Sequence, residues 1–146
     1  MVNVTGLGEV VLNVRDMGRS VAFYRDLLGL GVISPPAMRS PVFLRAGEVA
    51  PGLPAMVVLV QLGAEAPPFA SPRSLHHLAV TVGEGALPET ERTLRQAGLK
   101  VRFGQHPVLK LPTLYVFDPD GNEVELIAPL PAVANDPTTA DPSASR

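Results

Sequence analysis

A chain of 146 residues, 46% hydrophobic and 18% charged, is long enough for one domain with a buried core and too apolar for a disordered segment. A formal net charge of −2 without any basic cluster argues against nucleic acid as a partner. The absence of cysteine excludes disulfides, thiolate metal sites and cysteine nucleophiles.

In chain order, the N-terminal residues Met1 to Thr5 show no basic flank or apolar run, and a cytoplasmic protein is expected. The first strand-like run is Glu9–Val14. Met17 to Leu28 then reads as a helix, with Met17, Val21, Tyr24 and Leu28 at three- and four-residue spacing, Asp16 as N-cap and Gly29 as the stop. Three strand candidates follow: Gly31 to Ser34, Val42 to Ala46 and Ala55 to Leu62. A Pro- and Gly-rich stretch separates them from a second run, His77–Val82. Pro88 suits the first turn of another helix, whose Leu94 and Ala97 are expected to face inward and which Gly98 closes. Leu99 to Phe103, Thr113 to Asp118 and Glu123 to Ala128 complete the set, with Asp118-Pro-Asp-Gly121 turning the last two into a hairpin.

The order is therefore strand, helix, three strands, stated twice. The expected fold is α+β: two tandem βαβββ modules forming a cup-shaped mixed sheet with helices on the outer face. The boundaries expected are a single domain over 1–129, with module one at 6–62, a linker at 63–75 and module two at 76–129. Residues 130–146, rich in Pro, Ala, Ser, Thr and Asp, read as a mobile tail.

Side chains alternate across a strand, so each strand divides into two faces. Val10, Leu12 and Val14 share one face and Glu9, Val11 and Asn13 the other; Leu78, Val80 and Val82 oppose His77, Ala79 and Thr81. In the fourth strands, Val58, Val60 and Leu62 are expected to oppose Leu59 and Gln61, as Val124, Leu126 and Ala128 oppose Glu123, Glu125 and Ile127. The wholly apolar faces belong under the helices. The opposite faces bring Glu9, Gln61, His77 and Glu125 into an otherwise apolar cup. That donor set suits a divalent ion such as Zn, Ni, Co, Mn or Fe. Taken one at a time, such residues are most often solvated rim groups; their matched positions in the repeat favour a site.

The runs Val11-Leu-Asn-Val-Arg-Asp16 with Ser20-Val-Ala-Phe-Tyr-Arg-Asp-Leu-Leu-Gly-Leu30, and His76-His-Leu-Ala-Val-Thr-Val82 with Leu114-Tyr-Val-Phe-Asp-Pro-Asp-Gly-Asn-Glu-Val-Glu-Leu-Ile127, resemble the vicinal oxygen chelate superfamily. This is the superfamily of glyoxalases, bleomycin resistance proteins and extradiol dioxygenases, and the resemblance spans roughly residues 6 to 129. It implies that the first and fourth strands of each module supply metal ligands: by position Glu9, Gln61, His77 and Glu125. It further implies a homodimer and either of two activities. One is a divalent-metal-dependent lyase or isomerase acting on a small oxygenated substrate through an enolate-type intermediate, with Glu9 or Glu125 as general base. The other is a metal-free protein that sequesters a small molecule or antibiotic. An extradiol-type dioxygenase is a further alternative, weakened by Glu9 standing where many members have His.

Tyr115, His106 and Asn13 are candidate substrate contacts. Arg39, Arg45, Arg73 and Lys110 are the cations considered for the mouth of the cup, and Phe23 and Tyr24 are expected to pack.

Overall fold

The computed structural model describes residues 1–70 and 73–130. The tail expected over 130–146 thus lies, from residue 131, outside the described residues. The elements are β1 (Glu9–Val14), helix α1 (Met17–Val21) continuing into a π-helical segment (Ala22–Leu27), β2 (Gly31–Val32), β3 (Val42–Ala50) and β4 (Leu53–Gln61). The second half holds β5 (His77–Thr81), α2 (Leu87–Gln96), β6 (Arg102–Gln105), β7 (Pro112–Phe117) and β8 (Glu123–Ile127). They form two four-stranded mixed sheets with the same topology, β1-β4-β3-β2 and β5-β8-β7-β6. In each sheet the first and last strands of the module pair in parallel and the other neighbours pair antiparallel. The two-module α+β fold read from the repeat is the fold observed.

Local chemistry explains the elements. Asp16 caps α1, its carboxylate accepting from the Arg19 N–H at 2.9 Å. The helix then widens, with the Leu28 N–H bonding the Phe23 carbonyl five residues back. The extra residue in that turn lets the consecutive Phe23 and Tyr24 both enter the core, where they meet edge to face at 5.0 Å. Gly29 and Gly98 end the helices at φ 78° and 83°. Ala97 is exposed rather than inward-facing, because it caps α2 one residue past the helix, where the backbone has left helical geometry at φ −74° and ψ 2°.

A single apolar cluster joins the two halves, running from Leu12, Val14, Tyr24, Val57 and Leu59 to Leu78, Leu94, Leu114, Val124 and Leu126. At about 25 cal/mol per Å² of apolar surface, such burial is the main stabilising term. A polar lock reinforces it. Asp118 opens the β7–β8 turn, and its carboxylate accepts from the backbone N–H groups of Asp120 and Asn122 at 2.9 and 2.8 Å and from the Asn122 side chain at 2.8 Å. Its remaining capacity reaches across the modules, accepting the Tyr24 hydroxyl at 2.8 Å. Burial, then the adjacent Asp118 charge and hydrogen bond, push the Tyr24 phenol far above its ordinary range. Asp120 accepts from the Arg15 N–H at 3.0 Å and from the Ser20 hydroxyl at 3.1 Å. Gly121, at φ 79°, takes the one left-handed position of this turn.

Two strands differ in position from the reading above. β6 runs over Arg102–Gln105 instead of starting at Leu99, because Leu99 and Val101 pack on the core as the link from α2. β4 starts at Leu53, directly after the Gly52 turn, and pairs with β1 so that Glu9 faces Met56 and Val11 faces Val58. Met56, Val58 and Val60 therefore share the cup face with Glu9, while Val57 and Leu59 lie in the helix-covered core. The face expected for β4 is reversed.

Candidate active site

On the helix-free face of module two, register assembles one constellation. His77 on β5 stands opposite Glu123 on β8, Glu125 opposite Tyr115 on β7, and Tyr115 opposite Arg102 on β6. The centre is Glu125, whose side chain is only 3% exposed. Its Oε1 accepts the Tyr115 hydroxyl at 2.8 Å, and its Oε2 lies 3.2 Å from Nε2 of His77. A buried carboxylate needs such partners, since burial without them costs several kcal/mol. The His77 ring also meets Tyr115 edge to face at 6.2 Å.

A second layer surrounds this pair. The Arg102 guanidinium lies 4.0 Å from the centre of the Tyr115 ring and donates to Glu123 at 2.6 Å. That ion pair holds the guanidinium still more firmly protonated than usual. His76 Nδ1 sits 2.8 Å from His77 Nδ1. The Tyr115 ring lies so close to β6 that a Cβ at position 104 would come within 2.6 Å of its Cε2, so glycine is the residue that fits there. Thr113, further along β7, has a buried hydroxyl without a hydrogen-bond partner among the described residues.

Glu9 stands on β1 of module one. It is exposed on β1 and lines, together with Met56, Ala79 and Thr81, a cavity of about 170 Å³ between β1 and β5. The β4 residue that corresponds to Glu125 is Val58, since Val11 pairs with Val58 as Ala79 pairs with Glu125. Gln61 lies on the opposite face from Glu9. Its Oε1 accepts from the Met17 N–H at 2.9 Å and its Nε2 donates to the Arg15 carbonyl at 2.6 Å, so it splints the β1–α1 turn. The structure thus brings His77 and Glu125 into contact, places Glu9 beside β5, and sends Gln61 elsewhere.

The three further candidates also separate. Tyr115 is in the constellation. Asn13 lies on the cup face of β1, lining a cavity of about 310 Å³ with Phe69, Arg73 and Asn122. His106 sits in the β6–β7 loop, where its Nδ1 accepts from the Leu109 N–H at 3.0 Å and braces the turn. Glu123, Arg102 and His76 were not singled out as site residues. The signal for the first two was available in the face rule, which sets Glu123 beside Glu125 and Arg102 two positions before a strand glycine.

Two donor groupings bear on metal. His76, His77 and Glu123 offer ligand atoms within 4.8 Å of one another. In addition, a divalent ion with bonds of about 2.1 Å and inter-ligand angles of about 90–109° holds neighbouring ligand atoms about 3.0–3.4 Å apart. The 3.2 Å between His77 Nε2 and Glu125 Oε2 is such a spacing, and the donor types fit a divalent ion. Among the described residues no helix is long and apolar enough to cross a membrane.

Residues 6–126 match the model of the Glyoxalase/Bleomycin resistance protein/Dioxygenase superfamily. No curated protein matches. Solved structures with the same fold include a lactoylglutathione lyase from Agrobacterium tumefaciens, 23% identical over 86% of this chain and 94% of that one, TM-score 0.62. A glyoxalase/dioxygenase from Nostoc punctiforme is 20% identical over 86% and 92%, TM-score 0.67. An integron cassette protein from the mobile metagenome of Halifax Harbour sewage outfall is 24% identical over 86% and 100%, TM-score 0.63.

Proposed function

Because the chain belongs to the glyoxalase/bleomycin resistance protein/dioxygenase superfamily, we propose that it is a divalent-metal-dependent lyase or isomerase acting on a small oxygenated substrate. The observation that carries this reading is the His77–Glu125 pair: an imidazole and a buried carboxylate at ligand spacing on the floor of an open cup. His77 and Glu125 would hold the ion, with Glu9 as the ligand or base from module one. When bound, a divalent ion supplies Lewis acidity toward two neighbouring substrate oxygens.

The chain's own residues divide the remaining work. Tyr115 fixes Glu125 through its hydroxyl and offers that same proton donor to a substrate oxygen. Glu125, with both oxygens engaged and little solvent, suits ligation. Glu9, exposed on the cup face, suits proton abstraction. On this reading Glu9, rather than Glu125, is the carboxylate better suited to act as base. A homodimer belongs to this reading, since Val11 and Phe117 on the cup face are 52% and 57% exposed and would be covered by a second copy.

One observation favours a second reading, a metal-free protein that sequesters a small molecule. Val58 occupies the position equivalent to Glu125, so module one adds an apolar wall where a fourth ligand would stand. Elemental analysis of protein purified without chelator separates the two. Stoichiometric transition metal, lost in His77→Ala with Glu125→Ala, is the expected result. A protein that stays metal-free after loading with Zn, Ni, Co, Mn and Fe(II) in turn would leave only the sequestering role.

A further inference from the structure

We infer that Arg102 is the anion-recognition residue of the cup, so that the substrate carries an oxyanion, a carboxylate or a phosphate-type group, beside the oxygens gathered at His77 and Glu125. This rests on the reading of the cup as a small-molecule site.

Charge distribution is the first argument. The helix-free face carries Glu9, Glu123 and Glu125, which repel an anion. Along β5–β8, among the described residues, the same face presents Arg102 as its single lysine or arginine. Of the cations weighed for the mouth of the cup, Arg45 on β3 is tied to Glu48 at 2.7 Å, and Arg73 donates to the Asn122 side chain at 2.7 Å.

Geometry is the second. Stacking at 4.0 Å on Tyr115, whose hydroxyl bonds Glu125, holds the guanidinium one tyrosine ring away from the His77–Glu125 pair. A single molecule can therefore touch both. The Arg102 side chain is 59% exposed while its partner Glu123 is 14% exposed, so the cation is reachable from the cup and the carboxylate lies beneath it. Only the Nη2 group is seen donating to Glu123, and a guanidinium has five N–H donors in a planar fork suited to oxyanions. An ion pair this exposed is a weak competitor. Glu123, when displaced, still faces His76 and His77, with which it shares the ligand cluster.

Calorimetric titration of the purified protein with succinate and with methylphosphonate, using neutral succinamide as the control, tests this. Arg102→Gln should weaken anion binding by about tenfold or more, the worth of one lost charge-assisted contact. Glu123→Gln should tighten it several-fold by removing the competitor, an opposite sign that a merely structural role for the pair would not give. The tighter of the two anions names the group recognised. Wild-type indifference to both anions, unchanged binding in Arg102→Gln, or weaker binding in Glu123→Gln overturns the inference. Metal content measured on the same samples keeps the two readings apart. Metal present with Arg102-independent anion binding sinks only the anion role. Anion binding through Arg102 in a protein that never takes metal sinks only the metal-dependent activity.

Discussion

The two modules share a topology and a strand register, yet their helix-free faces are chemically unlike. In module one that face is Glu9, Val11 and Asn13 on β1 against Met56, Val58 and Val60 on β4. In module two it is His77, Ala79 and Thr81 against Glu123, Glu125 and Ile127, backed by Tyr115 and Arg102. A duplicated fold requires only the apolar faces under the helices to be kept; the opposite face is free to specialise. Here module two carries the His77–Glu125 pair with Tyr115, Glu123 and Arg102. Module one contributes a largely apolar wall, Glu9, Arg45 on β3, and the helix that bonds the Asp118 turn.

If the halves depend on each other through that turn, breaking it should hurt both. Asp118→Ala removes the acceptor for the Tyr24 hydroxyl, two backbone N–H groups and the Asn122 amide in a buried position. The expected cost is about 3–5 kcal/mol. Chemical denaturation followed by separate probes in each module should show one shared transition at lower denaturant. Two separated transitions would show the modules to be independent. Next in size, Val58→His supplies module one with the donor its cup lacks. Metal affinity should rise about tenfold, near 1.4 kcal/mol, in competition with a chromogenic chelator. No change would mean that β4 faces away from the ion.

How much of this was legible follows from where polarity breaks the pattern. In β8, Glu123 and Glu125 alternate with Val124 and Leu126, so one face is marked and its orientation followed. In β4 both faces are apolar, with Val57 and Leu59 against Val58 and Val60. Gln61 was the only marker, and it sits at the strand's end, where an amide is free to serve the adjoining turn. A two-faced apolar strand carries no orientation in its own sequence; register against β1 decides it. The lock between Tyr24 and Asp118 was likewise out of reach, because the two are 94 positions apart. The turn itself was plain from Asp118-Pro-Asp-Gly121. Arg102 lies inside the strand expected over Leu99 to Phe103, but its stacking on Tyr115 comes from the β6–β7 register, which one strand's alternation does not show.

Tyr24→Phe tests the same lock more gently. It deletes one buried hydroxyl and leaves Asp118 its three other donors, so about 1 kcal/mol should be lost at neutral pH. The pH dependence is more telling. Burial raises the phenol's pKa in the folded state above the ordinary value near 10 that it regains on unfolding. A raised folded pKa gives stability that is complete below pH ~10 and declines above it, by about 1.4 kcal/mol per pH unit from this one group. The wild-type advantage over Tyr24→Phe should therefore shrink above pH ~10 and reverse near pH ~11. A constant gap across that range would mean that the phenol is not shielded as its contacts with Asp118 require.

The smallest expected effect is the most direct check on the difference between the faces. Gln61→Ala removes an acceptor for the Met17 N–H and a donor to the Arg15 carbonyl at an exposed strand end. Water can replace both, so the loss of stability should be under about 1 kcal/mol. Metal content should not change at all, because the amide lies on the face away from Glu9, His77 and Glu125. The contrast with His77→Ala on the same preparation is what matters. A protein that loses metal on either substitution would require β4 to sit one residue out of the register described, which would turn Val58 into the core and Gln61 into the cup. A protein that loses metal only with His77 confirms that the chemistry of this fold is gathered on its second half.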